Sequence, residues 1–302
     1  MPGKPIEGIA LIGFGEAGGI LGADLAKAGV SVNMFDILLR AESSRAAMLA
    51  KADSAGVRAC ESLADAAHDV ELLISAVTCS SARDVARESS AALRPNQIHL
   101  DINSVSPETK REMARRIESA GANFVEAAVM APVPPNRLRV PMLLGGMRAA
   151  ELAPRLQAQG MDAQAVSDRI GVASAIKMCR SVVIKGIEAL ALEAMFAARR
   201  YDAEEAVLAS LDATYPSMGW KGKLPDYLIS RVAEHGQRRA AEMREVAETL
   251  SDAGLEPFTA LGTAERQDWL VKKMAECGIQ YRSDEPFSWR VLADALVNVR
   301  TL

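Results

Sequence analysis

The turn Gly13-Phe14-Gly15-Glu16-Ala17-Gly18 constrains this chain more than any other stretch. A glycine-rich turn is common on its own, and the alternative is a plain strand–turn–helix without a ligand. Its setting is what narrows the choice. The apolar run at 9–12 reads as a strand, and the helical stretch after the turn closes at Gly29. VSVNMF then reads as the next strand and ends at Asp36, 21 residues beyond Gly15. A strand, a glycine turn, a helix, a second strand and a terminal acid make up a dinucleotide-binding unit. Gly13 allows the tight turn, Gly15 lets backbone approach a pyrophosphate, and Gly18 lets helix and sheet pack closely. The phosphates then lie at the positive end of the helix. The expected cofactor contacts are therefore Gly13, Phe14, Gly15, Glu16, Ala17 and Gly18. Asp36 is placed to accept a hydrogen bond from the adenosine ribose and to repel a 2′-phosphate, which favours NAD. Arg40 and Arg45 follow closely and keep NADP possible, and Asp36 also fits a simple strand-end turn.

The first half continues the alternation. VELLISAV, QIHLDIN, ANFVEAAVM and VPMLLGG read as strands separated by alanine-rich helical stretches. That pattern implies a parallel sheet covered on both faces. Ser106-Pro107-Glu108 opens one helix with a cap residue, a proline at the first position and an acid near the positive end. From about Gly171 strands disappear. Helices are expected at 172–200, 203–213, 225–253, 259–277 and 288–298. The fold class is therefore α/β: a Rossmann-type doubly wound sheet over 1–168, followed by an all-helical domain over 169–302.

Composition narrows the function classes. The chain has 302 residues and a net charge of −4, with no long basic run, so nucleic acid is not an expected partner. The N-terminus does not read as a signal peptide. The most apolar later stretch carries Lys185, Glu188 and Glu193, too much charge to span a bilayer. Cys60, Cys79, Cys179 and Cys277 are scattered, as buried thiols of a reducing compartment are, which fits a cytoplasmic protein. His68, His99 and His235 do not cluster at metal-ligand spacing, so no metal is expected.

The helix after the first domain poses the sharpest question. Ser174, Lys177, Ser181, Lys185 and Glu188 recur at intervals of three and four, one polar stripe. Periodicity alone favours a stripe facing water. The order along the chain, a nucleotide-binding half followed by a glycine and then this helix, instead places its first turns against a cofactor cleft.

Three further segments, ISAVTCSSA (74–82), DINSVSP (101–107) and GVASAIKMCRS (171–181), resemble the β-hydroxyacid dehydrogenases of the 3-hydroxyisobutyrate and 6-phosphogluconate dehydrogenase superfamily. The resemblance covers roughly 6–190. The second half is similar to a less characterised branch labelled 6-phosphogluconate dehydrogenase-like. The resemblance implies that Val77 and Thr78 line the nicotinamide side of the cofactor and that Lys177 is the catalytic acid/base. A lysine in a partly desolvated site can be neutral and accept the hydroxyl proton. Ser104, just past a strand end where open α/β sheets bind ligands, is expected to contact substrate.

The departures matter as much. Where the family usually has an asparagine four residues after the lysine, this chain has Ser181, still one turn away and still a candidate for substrate binding. Where the family commonly has Asp-Ala-Pro-Val-Ser-Gly-Gly, whose serine and backbone bind a carboxylate, this chain has EAAVMAPVPPN with Met130, Ala131 and Pro132. Proline removes a backbone donor, so a bulkier or less polar substrate is expected to meet Met130 and Ala131. His235 is either a cleft residue of this branch or a surface histidine. Trp220, Lys221 and Lys223 form either a lid or a solvated loop, and Arg238 and Arg239 are expected to pair with Glu242 and its neighbours.

The resemblance implies an NAD(P)-dependent oxidoreductase interconverting a hydroxy compound, a β-hydroxy acid or related alcohol, with its carbonyl form, working as a homodimer. The rivals are oxidative decarboxylation, imine reduction and a non-catalytic NAD(H)-binding redox sensor.

Overall fold

The computed structural model describes residues 5–297. The chain divides into two compact units, Met1–Met178 and Cys179–Leu302. In the first, strands and helices alternate: β1 (Gly8–Ile12), α1 (Glu16–Lys27), β2 (Ser31–Phe35), α2 (Glu42–Ser54), β3 (Arg58–Ala59), α3 (Leu63–Ala67), β4 (Leu72–Ser75), α4 (Ala82–Ala92), β5 (Ile98–Asp101), α5 (Pro107–Ser119), β6 (Asn123–Val129), α6 (Val133–Asn136), β7 (Met142–Gly145), α7 (Ala149–Ala158) and β8 (Ala163–Ser167). The strands form one sheet in the order β3-β2-β1-β4-β5-β6-β7-β8. Every pairing is parallel except β6 with β7.

That exception has a local cause. A parallel return needs a crossover of a dozen or more residues, usually a helix. The segment from Met130 to Pro141, with Pro132, Pro134 and Pro135, forms only the four-residue α6 and a short 3-10 turn and holds no crossover helix. The chain therefore reverses and pairs antiparallel. The expected fully parallel sheet is corrected at this one place. The edge strands β3 and β8 and the helix α7 left no clear signal in the sequence; β3 is two residues long.

Strands buried on both faces need near-continuous apolar runs. Ile9, Leu11, Leu72, Ile74, Leu100 and Val125 supply them and are buried. Ser106 caps α5, accepting from the Thr109 amide at 3.3 Å.

One buried residue breaks the pattern. His99 in β5 lies fully inside, stacked on Phe124 with ring centroids 5.5 Å apart, and neither ring nitrogen has a hydrogen-bond partner. Burial pushes its pKa down to about 4, with Asp101 opposing and Lys110 assisting. The folded protein thus holds His99 neutral while the unfolded chain takes up a proton near pH 6.5. The stability is complete above the unfolded value. It is lost as pH falls from 6.5 to about 4, by up to about 3 kcal/mol. Urea unfolding of wild type beside His99→Phe across that window measures it. The variant is expected to show a flatter pH dependence, and identical slopes would remove His99 as the cause.

The second unit is helical. α8 (Val172–Arg200) belongs to the first unit up to Met178 and to the second from Cys179. It is followed by α9 (Glu204–Thr214), α10 (Leu224–Asp252), α11 (Phe258–Glu276) and α12 (Trp289–Val297). These match the expected helices to within a residue, except that the expected end at 298 lies outside the described residues. Leu192, Met195, Ile229, Val232, Leu270 and Trp289 form a separate core. Trp220 is buried in it, while Lys221 and Lys223 of the same loop are exposed. Among the described residues no helix is long and apolar enough to cross a membrane.

Candidate active site

The sheet order reverses direction between β1 and β4, and ligands of open α/β sheets bind at the carboxyl ends of strands at such a point. β1 delivers the glycine turn there. Gly13 has φ +89°, donates its amide to the Phe35 carbonyl at 2.9 Å, and a methyl on it would lie 2.5 Å from the Ala76 carbonyl oxygen. A methyl on Gly18 would overlap the Gly13 carbonyl. A methyl on Gly15 would meet nothing within 4 Å, so the space above the turn is open. Gly15 is the N-cap of α1, and no side chain caps that helix. The first amides of a helix need an acceptor. A bare helix start beneath open space therefore fits a dinucleotide pyrophosphate. Phe14 is buried, Glu16 exposed and Ala17 partly buried.

Asp36 supports this turn from below. Its Oδ2 accepts from the Phe14 amide at 2.6 Å and its Oδ1 from the Leu38 amide at 2.9 Å. It is thus a turn residue as well as the acid at the end of β2. The two arginines beside it are engaged: Arg40 on Glu88 at 2.8 Å, and Arg45 on Glu61 at 2.5 Å and the Leu39 carbonyl at 2.8 Å.

Facing the turn is the segment after β4. The Val77 amide donates to Asn103 Oδ1 at 2.7 Å, while Thr78 Oγ1 lies 3.0 Å from Ser80 Oγ and 3.1 Å from Ser81 Oγ. Asn103 escaped the sequence analysis. Its amide nitrogen also donates to Ser75 Oγ at 2.8 Å and Asp101 Oδ2 at 2.5 Å. Asp101 in turn forms a fully buried ion pair with Lys110, which also reaches the Asp101 carbonyl at 2.9 Å. The only available signal was an amide side chain between the strand-end Asp101 and Ser104.

Ser104 follows directly, and Lys177 Nζ donates to its Oγ at 2.5 Å. Lys177 is half-buried, and Ser174, Ser181, Lys185 and Glu188 of the same stripe are all buried. The stripe does not face water, which corrects what periodicity alone favoured. Glu126 fixes the start of α8. Its Oε1 accepts from the amides of Gly171 at 2.7 Å and Ala173 at 3.1 Å, and its Oε2 is buried without a partner. A carboxylate at a helix N-terminus is favoured by the dipole.

The loop after β6 differs from a carboxylate nest. The Met130 amide is spent on the Pro141 carbonyl at 2.8 Å, extending the β6–β7 ladder. Pro132, Pro134 and Pro135 have no amide to offer. Met130 and Ala131 are half-buried. Of the remaining candidates, Ser181 sits one turn beyond Lys177. His235 belongs to the second unit, on α10, with Nε2 3.3 Å from Glu234 Oε2, and burial lowers its pKa. There too Arg238 reaches Glu242 at 3.2 Å, but Arg239 pairs with Glu188 of α8 instead, and Lys185 with Glu242 at 2.5 Å. Burying Lys185 and Glu188 requires partners on the facing helix, and this is what diverts Arg239.

Comparison with known proteins gives the site a context. Residues 8–160 match the family model described as the NAD binding domain of 6-phosphogluconate dehydrogenase. Residues 198–270 match a domain of unknown function (DUF1932). A conserved hypothetical protein from Sinorhizobium meliloti is 35% identical, with 96% of each chain covered and a TM-score of 0.77. A conserved protein of unknown function, described as structurally similar to 3-hydroxyacid dehydrogenases, is 30% identical over 86% of this chain and 96% of its own, with a TM-score of 0.69. The 3-hydroxyisobutyrate dehydrogenase of Mycobacterium tuberculosis, solved with L-serine, shares the fold at 18% identity and a TM-score of 0.72, covering 96% of this chain and 99% of that one.

Proposed function

Given that the chain belongs to the β-hydroxyacid dehydrogenase superfamily of 3-hydroxyisobutyrate and 6-phosphogluconate dehydrogenases, we propose that it is an NAD-dependent oxidoreductase interconverting a hydroxy compound and its carbonyl form. The observation that carries this reading is Lys177 held on Ser104 by a 2.5 Å hydrogen bond. Both belong to the unit that bears the glycine turn.

A nicotinamide dinucleotide, when bound, supplies the hydride acceptor or donor. Gly13 to Gly18 would hold its phosphates on the bare start of α1, and Val77 and Thr78 would border its nicotinamide end. In oxidation, Lys177 Nζ receives the hydroxyl proton as the carbinol carbon gives up hydride. In reduction, the Lys177 ammonium returns a proton to the carbonyl oxygen. Ser104 orients that ammonium and binds the reacting oxygen. Asn103 keeps the Val77 segment and the Ser104 loop in one register. NAD is favoured over NADP because Asp36 would repel a 2′-phosphate, and Arg40 and Arg45 are committed to carboxylates.

The loop at Met130 supports a substrate without a carboxylate gripped at that place, hence a bulkier or less polar hydroxy compound. Ser181 is a further candidate contact. The test is nicotinamide absorbance turnover on a broad pool of hydroxy acids, alcohols and carbonyl partners, with NAD and NADP in parallel. Turnover with NAD on bulky or apolar alcohols is the expected result. A preference for small hydroxy acids would sink the substrate reading, and a preference for NADP would sink the role given to Asp36. Tight dinucleotide binding with no turnover across the pool would favour a redox sensor.

We further propose that the protein works as a homodimer. Ile176, Val183 and Leu190 stand seven residues apart on α8, and Val183 and Leu190 are 60% and 66% exposed. In the second unit Phe258 is 78% exposed. Exposed apolar stripes of this kind mark interfaces. Sedimentation is expected to give a dimer for wild type and a monomer for Val183→Glu/Leu190→Glu; a monomeric wild type removes the proposal.

A further inference from the structure

Lys51 lies far along the chain from the glycine turn, on α2, and nothing in the sequence ties it to that turn. In the fold its ammonium donates to the carbonyl oxygens of Phe14 at 2.6 Å and Gly15 at 2.7 Å. It also lies 5.4 Å from the centroid of the buried Phe14 ring, and a methyl on Gly19 would come within 3.0 Å of it. One cation thus binds two carbonyls of the turn and lies over the Phe14 ring beside them.

The consequence follows from covalent geometry. In a trans peptide the C=O and N–H point in opposite directions. The carbonyls of Phe14 and Gly15 belong to the same peptide units as the amides of Gly15 and Glu16. Holding those two carbonyls on the Lys51 side turns those two amides to the other side. The Gly15 carbonyl already accepts from the Gly19 amide at 3.1 Å in the first turn of α1, so Lys51 adds a second, charged donor to it. A charged donor on a carbonyl polarises the peptide and makes its N–H a stronger donor. The ammonium also places a full positive charge behind these peptides, on the side opposite the phosphates, where its longer-range field still favours them.

We propose that Lys51 is a positioning residue of the dinucleotide site, fixing and polarising the amides of Gly15 and Glu16 for a pyrophosphate. This inference rests on the dinucleotide reading of the glycine turn. Lys51 does not touch the reacting atoms, so its effect falls on cofactor affinity and leaves the chemical step alone.

The experiment measures the dissociation constant of NADH by calorimetry for wild type, Lys51→Met, Lys51→Arg and Lys27→Met, at low and high salt. Lys27 is an exposed lysine in the last turn of α1, away from the turn, and controls for the loss of one positive charge. The expected result is that Lys51→Met binds NADH about tenfold more weakly with a shallower salt dependence. Lys51→Arg retains most of the affinity, and Lys27→Met binds as wild type does. The melting temperature of each ligand-free variant separates this from a folding defect. Lys51→Met binding NADH as tightly as wild type overturns the proposal, and so does equal weakening by Lys27→Met or no rescue by arginine. A wild-type protein that binds neither NADH nor NADPH overturns the dinucleotide reading itself, a distinct result because it appears before any variant is compared.

Discussion

Replacing Lys177 with alanine is expected to lower kcat by about 10²–10⁴-fold, the range a positioned acid/base contributes, while the NADH dissociation constant stays within about threefold of wild type. The split follows from place. The proposed cofactor contacts are backbone amides of the turn and the segment after β4, whereas the Lys177 Nζ sits on Ser104 Oγ. Arginine at 177 is expected not to restore turnover, because a guanidinium does not give up its proton in the working pH range. Ser104→Ala is expected to fall between, since the lysine remains but loses its 2.5 Å partner. Turnover unchanged in Lys177→Ala would return the proton transfer to another group or to water. Cofactor affinity falling in step with kcat would make Lys177 a binding residue instead.

The second large effect lies beneath that loop. Lys110→Met is expected to cost about 3–5 kcal/mol of stability, because it leaves the Asp101 carboxylate buried and unpaired. The two side chains are 1% and 0% exposed, so water cannot take over. Adding Asp101→Asn should recover much of the loss by removing the stranded charge. Urea denaturation of the three proteins measures this, and a cost below about 1 kcal/mol for Lys110→Met would mean that the pair contributes little. Because Asp101 also anchors Asn103, which holds Val77, the single variant is expected to weaken NADH binding as well.

The first unit and the long helices were readable because their signals are local. A glycine that must adopt φ +89° is legible as glycine, and Ser106-Pro107 announces a helix start without reference to anything distant. The five terminal helices fell within a residue of their places, as far as the described residues reach, because the helical period runs along the chain itself. The reversal at β7 was present in the sequence as a run of prolines, whose meaning there is how short a connection they leave.

The contacts that the sequence could not supply depend on partners far away along the chain. Lys177 meets Ser104 across 73 residues, Asn103 meets Val77 across 26, and Lys51 meets the glycine turn across 36 and 37. No window along the chain contains these pairs. The stripe on α8 has the period of a solvated face, and at Lys185 and Glu188 the facing carboxylate and guanidinium of α10 partner its buried charges. The sequence by itself thus determined the kind of fold, the glycine turn after β1 and the place of Lys177 early on α8. The tertiary structure alone decided which carbonyls, hydroxyls and carboxylates those residues meet. Hydrogen bonds and ion pairs form between groups adjacent in space, and the packing of strands and helices brings those groups together.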